Sequence, residues 1–223
     1  MGEDYVDSII QVVNPFTLEK GTFLTVPIQY EATIIVNNGT EAKIMPCDKL
    51  DLVHHVKKVI GVKKPVGCSV QLFFVLTKTF SNIAFGFGNI KVNNGRLQDA
   101  YHIGANGVFS YKIENLKKLV YSFNMTKNVT SSMIHDKLNK IITSVGTDII
   151  SKYFANTEIS IFEINASNSE IRQKMVDALA QEKMISDSGL KITSLTLEPI
   201  FVREEDEKVM DNRINKKGED QDE

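Results

Sequence analysis

Ile134, Leu138, Ile141, Ile142, Val145 and Ile149 recur at three- and four-residue intervals over four turns. This sustained helical period predicts an amphipathic helix over 130–153 with an apolar stripe that packs on a sheet. Gly146 weakens that helix by roughly 1 kcal/mol relative to alanine. The segments after this helix narrow the fold further. Residues 158–164 carry Ile159 and Ile161 in the alternation of a strand, with Phe162 one step off phase. Ser167-Asn168-Ser169-Glu170 reads as a capping box. The helix it opens sets Ile171, Met175, Ala178 and Leu179 on one side and stops near Gly189. Residues 190–199 read as a final strand closed by Pro199. The succession helix, strand, helix, strand is a packing scaffold without a recurring polar constellation.

The first half of the chain is mostly β. Residues 32–45 form a hairpin pattern around Asn37-Asn38-Gly39, whose Asn-Gly pair suits the positive φ angles of a type I′ turn. A second Asn93-Asn94-Gly95 divides another hairpin, although the flanking segments differ. Ser69–Leu76 is almost wholly apolar, β-branched or aromatic, which suits a central strand covered on both faces. Phe85-Gly86-Phe87-Gly88-Asn89 suggests a bend or bulge, and Gly104 and Gly107 mark an irregularity within the strand-like stretch 97–113. Asn115 is a good cap for a short helix with Leu116, Leu119, Val120 and Phe123 on one face. These elements predict an α+β fold, with a β-rich lobe over 1–113 and an α/β lobe over 114–202 that holds two amphipathic helices and the final strand. Of residues 203–223, fourteen are charged, nine acidic and five basic, so this segment is expected to be a solvated helix stub and a disordered tail.

At 223 residues and 42% hydrophobic, the chain can bury a substantial core. Its net charge of −2 gives no global basic field, which argues against nucleic acid as a partner. Cys47 and Cys68 lack the further ligands of a tetrahedral metal site, and free thiols in a reducing compartment are expected. The acidic start, Met1-Gly2-Glu3-Asp4, is unlike a signal peptide, and Val6 stands where myristoylation prefers Ser or Thr. No stretch reaches 18 apolar residues, so none is expected to span a bilayer. The Asn-x-Ser/Thr triplets at Asn38, Asn124, Asn128 and Asn165 are then chance, and the expected location is cytoplasmic.

Candidate chemistry is sparse. His54 and His55, followed by Lys57, Lys58, Lys63 and Lys64, could form an anion or lipid-headgroup patch, against the plainer reading of a solvated surface loop; lysines near an anionic membrane contribute about 1 kcal/mol each. His102 has no partner at metal spacing. His135 and Asp136 are adjacent on a helix and point about 100° apart, so they cannot form a dyad. Neither cysteine has a histidine beside it to lower its pKa. Gly86-Phe87-Gly88 lacks the helix start and Gly-Lys-Ser/Thr of a phosphate cradle. Phe73, Phe74, Phe80, Phe85 and Phe87 have only Lys78 among them, unlike a base-stacking platform, and are expected in the core. No catalytic, cofactor-binding or metal residue is assigned.

Three stretches carry a family likeness. They are Glu19-Lys20-Gly21-Thr22-Phe23-Leu24-Thr25-Val26 leading into the strand 31–39; Phe85-Gly86-Phe87-Gly88-Asn89-Ile90-Lys91-Val92; and Gly107-Val108-Phe109-Ser110-Tyr111-Lys112-Ile113-Glu114-Asn115. Together with the element order, they make nearly the whole chain resemble the SPFH superfamily, the stomatin, prohibitin, flotillin and HflK/C group of band-seven domains. The first and last stretches resemble its bacterial, virion-core-protein-like branch. The likeness does not extend to the membrane-anchoring segment of stomatins or to a C-terminal zinc ribbon, and the long coiled coil is reduced to 203–215. The resemblance implies a non-enzymatic scaffold without cofactors that self-associates into a homo-oligomer and organises partner proteins, with an anionic membrane surface as a further partner. The alternatives are an enzyme of unidentified class, a hydrolase among the options, and a phage or virion structural component.

Overall fold

The computed structural model of the protein describes residues 8–37, 39–94, 99–123, 129–156 and 165–208. The predicted strand over 158–164 and the expected tail beyond 208 lie outside the described residues. The chain forms two compact units, each assembled from separate stretches. The first comprises Met1–Thr79, Lys112–Asp136 and Asp187–Leu190; the second comprises Phe80–Tyr111, Lys137–Ser186 and Lys191–Glu223. The compact units thus alternate along the sequence, whereas the change of sequence pattern near residue 113 suggests a single cut.

The first unit is built on a five-stranded sheet in the order β4-β3-β6-β1-β9. Its strands are β1 (Ser8–Thr17), β3 (Tyr30–Val36), β4 (Thr40–Ile44), β6 (Ser69–Leu76) and β9 (Val129–Thr130). The apolar β6 lies in the middle, antiparallel to both β1 and β3, as its composition requires. Alternation along β3 places Ala32, Ile34 and Val36 in a core with Val70 and Leu72 of β6. Of the described turn residues, Asn37 is left-handed, with φ of 49°, whereas Gly39 is not. A two-stranded ribbon of β2 (Phe23–Val26) and β5 (Cys47–Asp51) adds Leu24 and Val26 to the same core.

The stretch after β5 is a helix, not the solvated loop of the plainer sequence reading. Asp51 caps α1 (Leu52–His55) by accepting the N–H of His54 at 3.0 Å, and a π-helical turn, Val56–Ile60, continues it to left-handed Gly61. Leu52 and Val56 face the core, while His54 is exposed and His55 half-buried. Later in the unit, Asn115 caps α2 (Leu116–Ser122) by accepting Lys118 N–H at 3.0 Å. Gly189 approaches this cap closely. Its carbonyl accepts N–H groups from Glu114 and Asn115, and a Cβ there would lie 2.0 Å from the Asn115 carbonyl oxygen, at a φ of +71°.

In the second unit, β7 (Phe80–Asn94) and β8 (Asp99–Ile113) form the long antiparallel hairpin predicted around the second Asn-Asn-Gly. Register shifts at 80–83 and 87–90 supply the expected bulges, and the left-handed residues are Asn82 and Asn89 instead of glycines. Gly107 pairs regularly with Phe85, whereas Gly104 lies opposite the second shift, between the partners of Phe87 and Ile90. Both glycines also make room: a Cβ at Gly107 would lie 2.1 Å from the Thr196 carbonyl oxygen of β10 (Leu190–Leu197), and one at Gly104 would strike the Phe201 ring of β11 (Phe201–Val202). Phe80, Phe85 and Phe87 are buried, as is Phe73 of the first unit, while Phe74 is half-buried.

The long helix α3 (Ser131–Asn156) runs from the first unit into the second. Its buried positions are Ile134, Leu138, Ile141, Ile142, Gly146, Ile150, Tyr153 and Phe154, while Val145 and Ile149 are only half-buried. The predicted stripe is thus correct for its first half and turns by one position afterwards. Gly146 explains the turn, because a Cβ there would stand 2.5 Å from the Phe87 ring of β7. In α4 (Asn168–Gln181), Ile171, Met175 and Leu179 are buried, and a short α5 (Lys183–Asp187) precedes Gly189. The capping box does not form: Ser167 makes no side-chain cap bond. Glu170 instead accepts the Tyr153 hydroxyl at 3.0 Å and pairs with Lys174 at 2.9 Å. Asn165 and Asn168 tie the start of α4 to the carbonyls of Ile200, Leu197 and Glu198.

Candidate functional site

The sequence offered histidines as the main source of chemistry, and the structure disperses them. His54 is exposed on α1. His55 is half-buried, with Nε2 lacking a hydrogen-bond partner among the described residues. Burial, and then the adjacent His54, hold its pKa below the ordinary histidine value, so the ring is neutral near pH 7. His135 and Asp136 occupy successive positions on α3.

His102 does find a partner, which sequence spacing could not reveal. Asp206, 104 residues away, accepts both the His102 backbone N–H at 2.6 Å and a contact from Nδ1 at 3.0 Å. The backbone bond is the main reason the Asp206 carboxyl titrates below the usual range. The two side chains are 36% and 22% exposed, so this is a clasp at the surface instead of a water-shielded acid–base pair. It fastens the helical turn at 204–208 to β8.

A groove of about 480 Å³ in the first unit runs between the β3–β4 hairpin and the start of α2. Its charged groups are engaged in ion pairs: Lys43 with Glu31, Lys117 with Glu41 at 3.4 Å, and Glu114 with Lys112 at 3.8 Å. Lys43 and Lys117 are at least half exposed, so the groove keeps these charges in water. Among the described residues there is no group of three or more His, Cys, Asp or Glu side chains able to hold a metal ion.

A concentration of unpaired charge lies at one end of the first unit, where β1 and β3 finish and β6 begins. Backbone hydrogen bonds draw three segments together there. Gly67 donates to the Leu18 carbonyl, Leu18 to Cys68 and Leu52 to Thr22. Asn37 joins through its backbone N–H to Ser69 and its side chain to the Cys68 sulfur. The Cys68 thiol in turn reaches the Lys64 carbonyl at 3.5 Å, a structural use of this half-buried residue. Lys20, Lys49, Lys57, Lys58, Lys63 and Lys64 are all exposed on these segments. None is in an ion pair with a described residue, unlike Lys43 and Lys117. Only Glu19, Asp48 and Asp51 oppose these six, a local excess of three positive charges. Amid these lysines Phe23, Val59 and Val66 stand 52%, 58% and 47% exposed, and the Lys49 ammonium lies 4.2 Å from the centroid of the Phe23 ring.

Comparison with protein families places this architecture. Residues 54–217 match the SPFH domain-Band 7 family. The chain belongs to this family. Its members usually form membrane-associated scaffolds and are generally non-enzymatic. The matched region includes the second unit's hairpin and the stretch 107–115; the opening stretch 19–26 and the first hairpin precede it. None of the curated proteins compared with the chain matches it. No described helix is long and apolar enough to cross a membrane.

Proposed function

We propose that the protein is a non-enzymatic scaffold that associates with copies of itself and organises other proteins at a membrane surface. Family membership across 54–217 carries this reading. The mixed fold is consistent with it, and the His102–Asp206 pair serves to fasten the turn at 204–208 to β8. Within the family we assign the chain to the virion-core-protein-like branch and to a bacterial cytoplasm, on the strength of the Gly107–Asn115 stretch and the Glu19–Val26 opening. The sequence-level lobes, 1–113 and 114–202, are on this reading the two SPFH-like parts of the scaffold.

On this reading the charged segment after Val202 adds to assembly only weakly. Its apolar residues, chiefly Val209 and Ile214, are too few for a coiled-coil seam. This chain should therefore be a monomer or dimer at micromolar concentration, and form larger particles on anionic vesicles. Sedimentation velocity across a concentration series, with and without vesicles, tests this. A strict monomer under every condition would remove the scaffold reading.

A further inference from the structure

We infer that the lysine-rich end of the first unit is the part of the molecule that seats on an anionic bilayer, with Phe23 and Val66 entering the headgroup layer. This inference rests on the proposed membrane-surface role and names the surface that performs it. Two observations coincide at this end. The first is exposed apolar area on the segments that the Leu18, Thr22 and Gly67 hydrogen bonds hold side by side. The second is the excess of lysine over acid on those same segments.

The opposite end provides the contrast. Ile28 and Met45 are 90% and 60% exposed beside the start of β3 and the end of β4, yet residues 27–29 and 44–46 carry no charge. The nearby Lys43 is already paired with Glu31. Apolar residues without cations do not select a charged surface, whereas apolar residues ringed by lysines satisfy both requirements of stable peripheral attachment. Lysine stems can lie along the apolar layer while their ammonium groups stay at the phosphates, and the Lys49 ammonium already lies beside the exposed Phe23 ring.

The local fold suits the task. Phe23 and Lys49 project from the face of the β2–β5 ribbon opposite Leu24 and Val26, which are buried in the core. Val59 and Lys58 project from a π-helical turn anchored inward by Val56. The exposed side chains can thus exchange water for lipid without unfolding what holds them.

The chain contains no tryptophan, so Phe23→Trp gives a single emission reporter at the proposed contact. Vesicles of phosphatidylcholine with and without phosphatidylglycerol are the probes, and binding is measured by flotation. The expected result is a blue shift in the emission of the Phe23→Trp variant with anionic vesicles alone. Binding of the unmodified protein should weaken as salt is raised. Lys63→Gln with Lys64→Gln should lower the partition coefficient roughly 10- to 30-fold, at about fivefold per lysine. Phe23→Ser should lower it roughly tenfold. Lys140→Gln with Lys183→Gln, on exposed positions of the second unit, is the charge-matched control and should bind as the parent does. Each variant alters exposed side chains, and its thermal melt verifies folding. If the parent binds anionic vesicles and the lysine and Phe23 variants bind equally well, this surface is wrong and the membrane reading stands. If the parent binds no vesicle, both fall.

Discussion

At the scale of single residues, the strongest constraints lie where backbone meets backbone. Gly189 combines a left-handed φ with a Cβ position 2.0 Å from the Asn115 carbonyl oxygen, while its own carbonyl takes two N–H groups. Gly189→Ala should cost at least about 1–3 kcal/mol from backbone strain alone. Chemical denaturation checks this, and a loss below about 0.5 kcal/mol would show that the cap of α2 does not need this approach. Asp206 illustrates an electrostatic constraint. Its folded pKa is depressed, first by the His102 backbone N–H and then by contact with the His102 ring. The stability it contributes is therefore present above the unfolded carboxyl value of about 3.9 and is lost as pH falls through the lower folded value. An NMR titration should find this carboxyl below the ordinary aspartate value. Asp206→Asn should remove its share of the acid limb of the stability curve, and an unchanged limb would argue against the clasp in solution.

At the scale of elements, the packing of α3 separates two effects that oppose each other. On an exposed helix, glycine to alanine gains about 1 kcal/mol. Gly146 faces the Phe87 ring at a distance that a methyl group cannot occupy, so Gly146→Ala should destabilise the protein despite its better helix propensity. Ile142→Ala, at a fully buried position, should cost roughly 2–5 kcal/mol through lost burial and the cavity left behind. Equilibrium unfolding measures both, and a stabilised Gly146→Ala would overturn the packing described. Elements with a strong period or a complete apolar run were legible in the sequence: β6, both long hairpins, α3 and α4. Those that were not legible lack such a signal. β1 contains Asn14-Pro15, which reads as a turn but falls where its pairing with β6 skips between Val13 and Phe16. The four- and five-residue strands of the β2–β5 ribbon are too short to show alternation, and no sequence rule marks the π-helical turn. The capping box failed because Glu170 has better partners in Tyr153 and Lys174 than the backbone at its own helix start.

At the scale of the whole molecule, function is written in surfaces and in family membership, and the sequence held these unequally. The lysine run 57–64 was visible as a candidate patch. Phe23, Lys20 and Lys49 could join it only after the β2–β5 ribbon and the 18–23 turn were in place, because their closeness is set by hydrogen bonds between distant segments. His102 and Asp206 were hidden for the same reason. On the proposed function, this chain assembles beyond a dimer on a membrane surface and not in dilute solution. Mass photometry on a supported bilayer, with and without phosphatidylglycerol, tests that most directly. Diffusing particles larger than a dimer are expected on the anionic bilayer, with only monomers or dimers in the solution over it. Particles no larger than a monomer on the anionic bilayer, or stable closed rings in dilute solution, would contradict this reading.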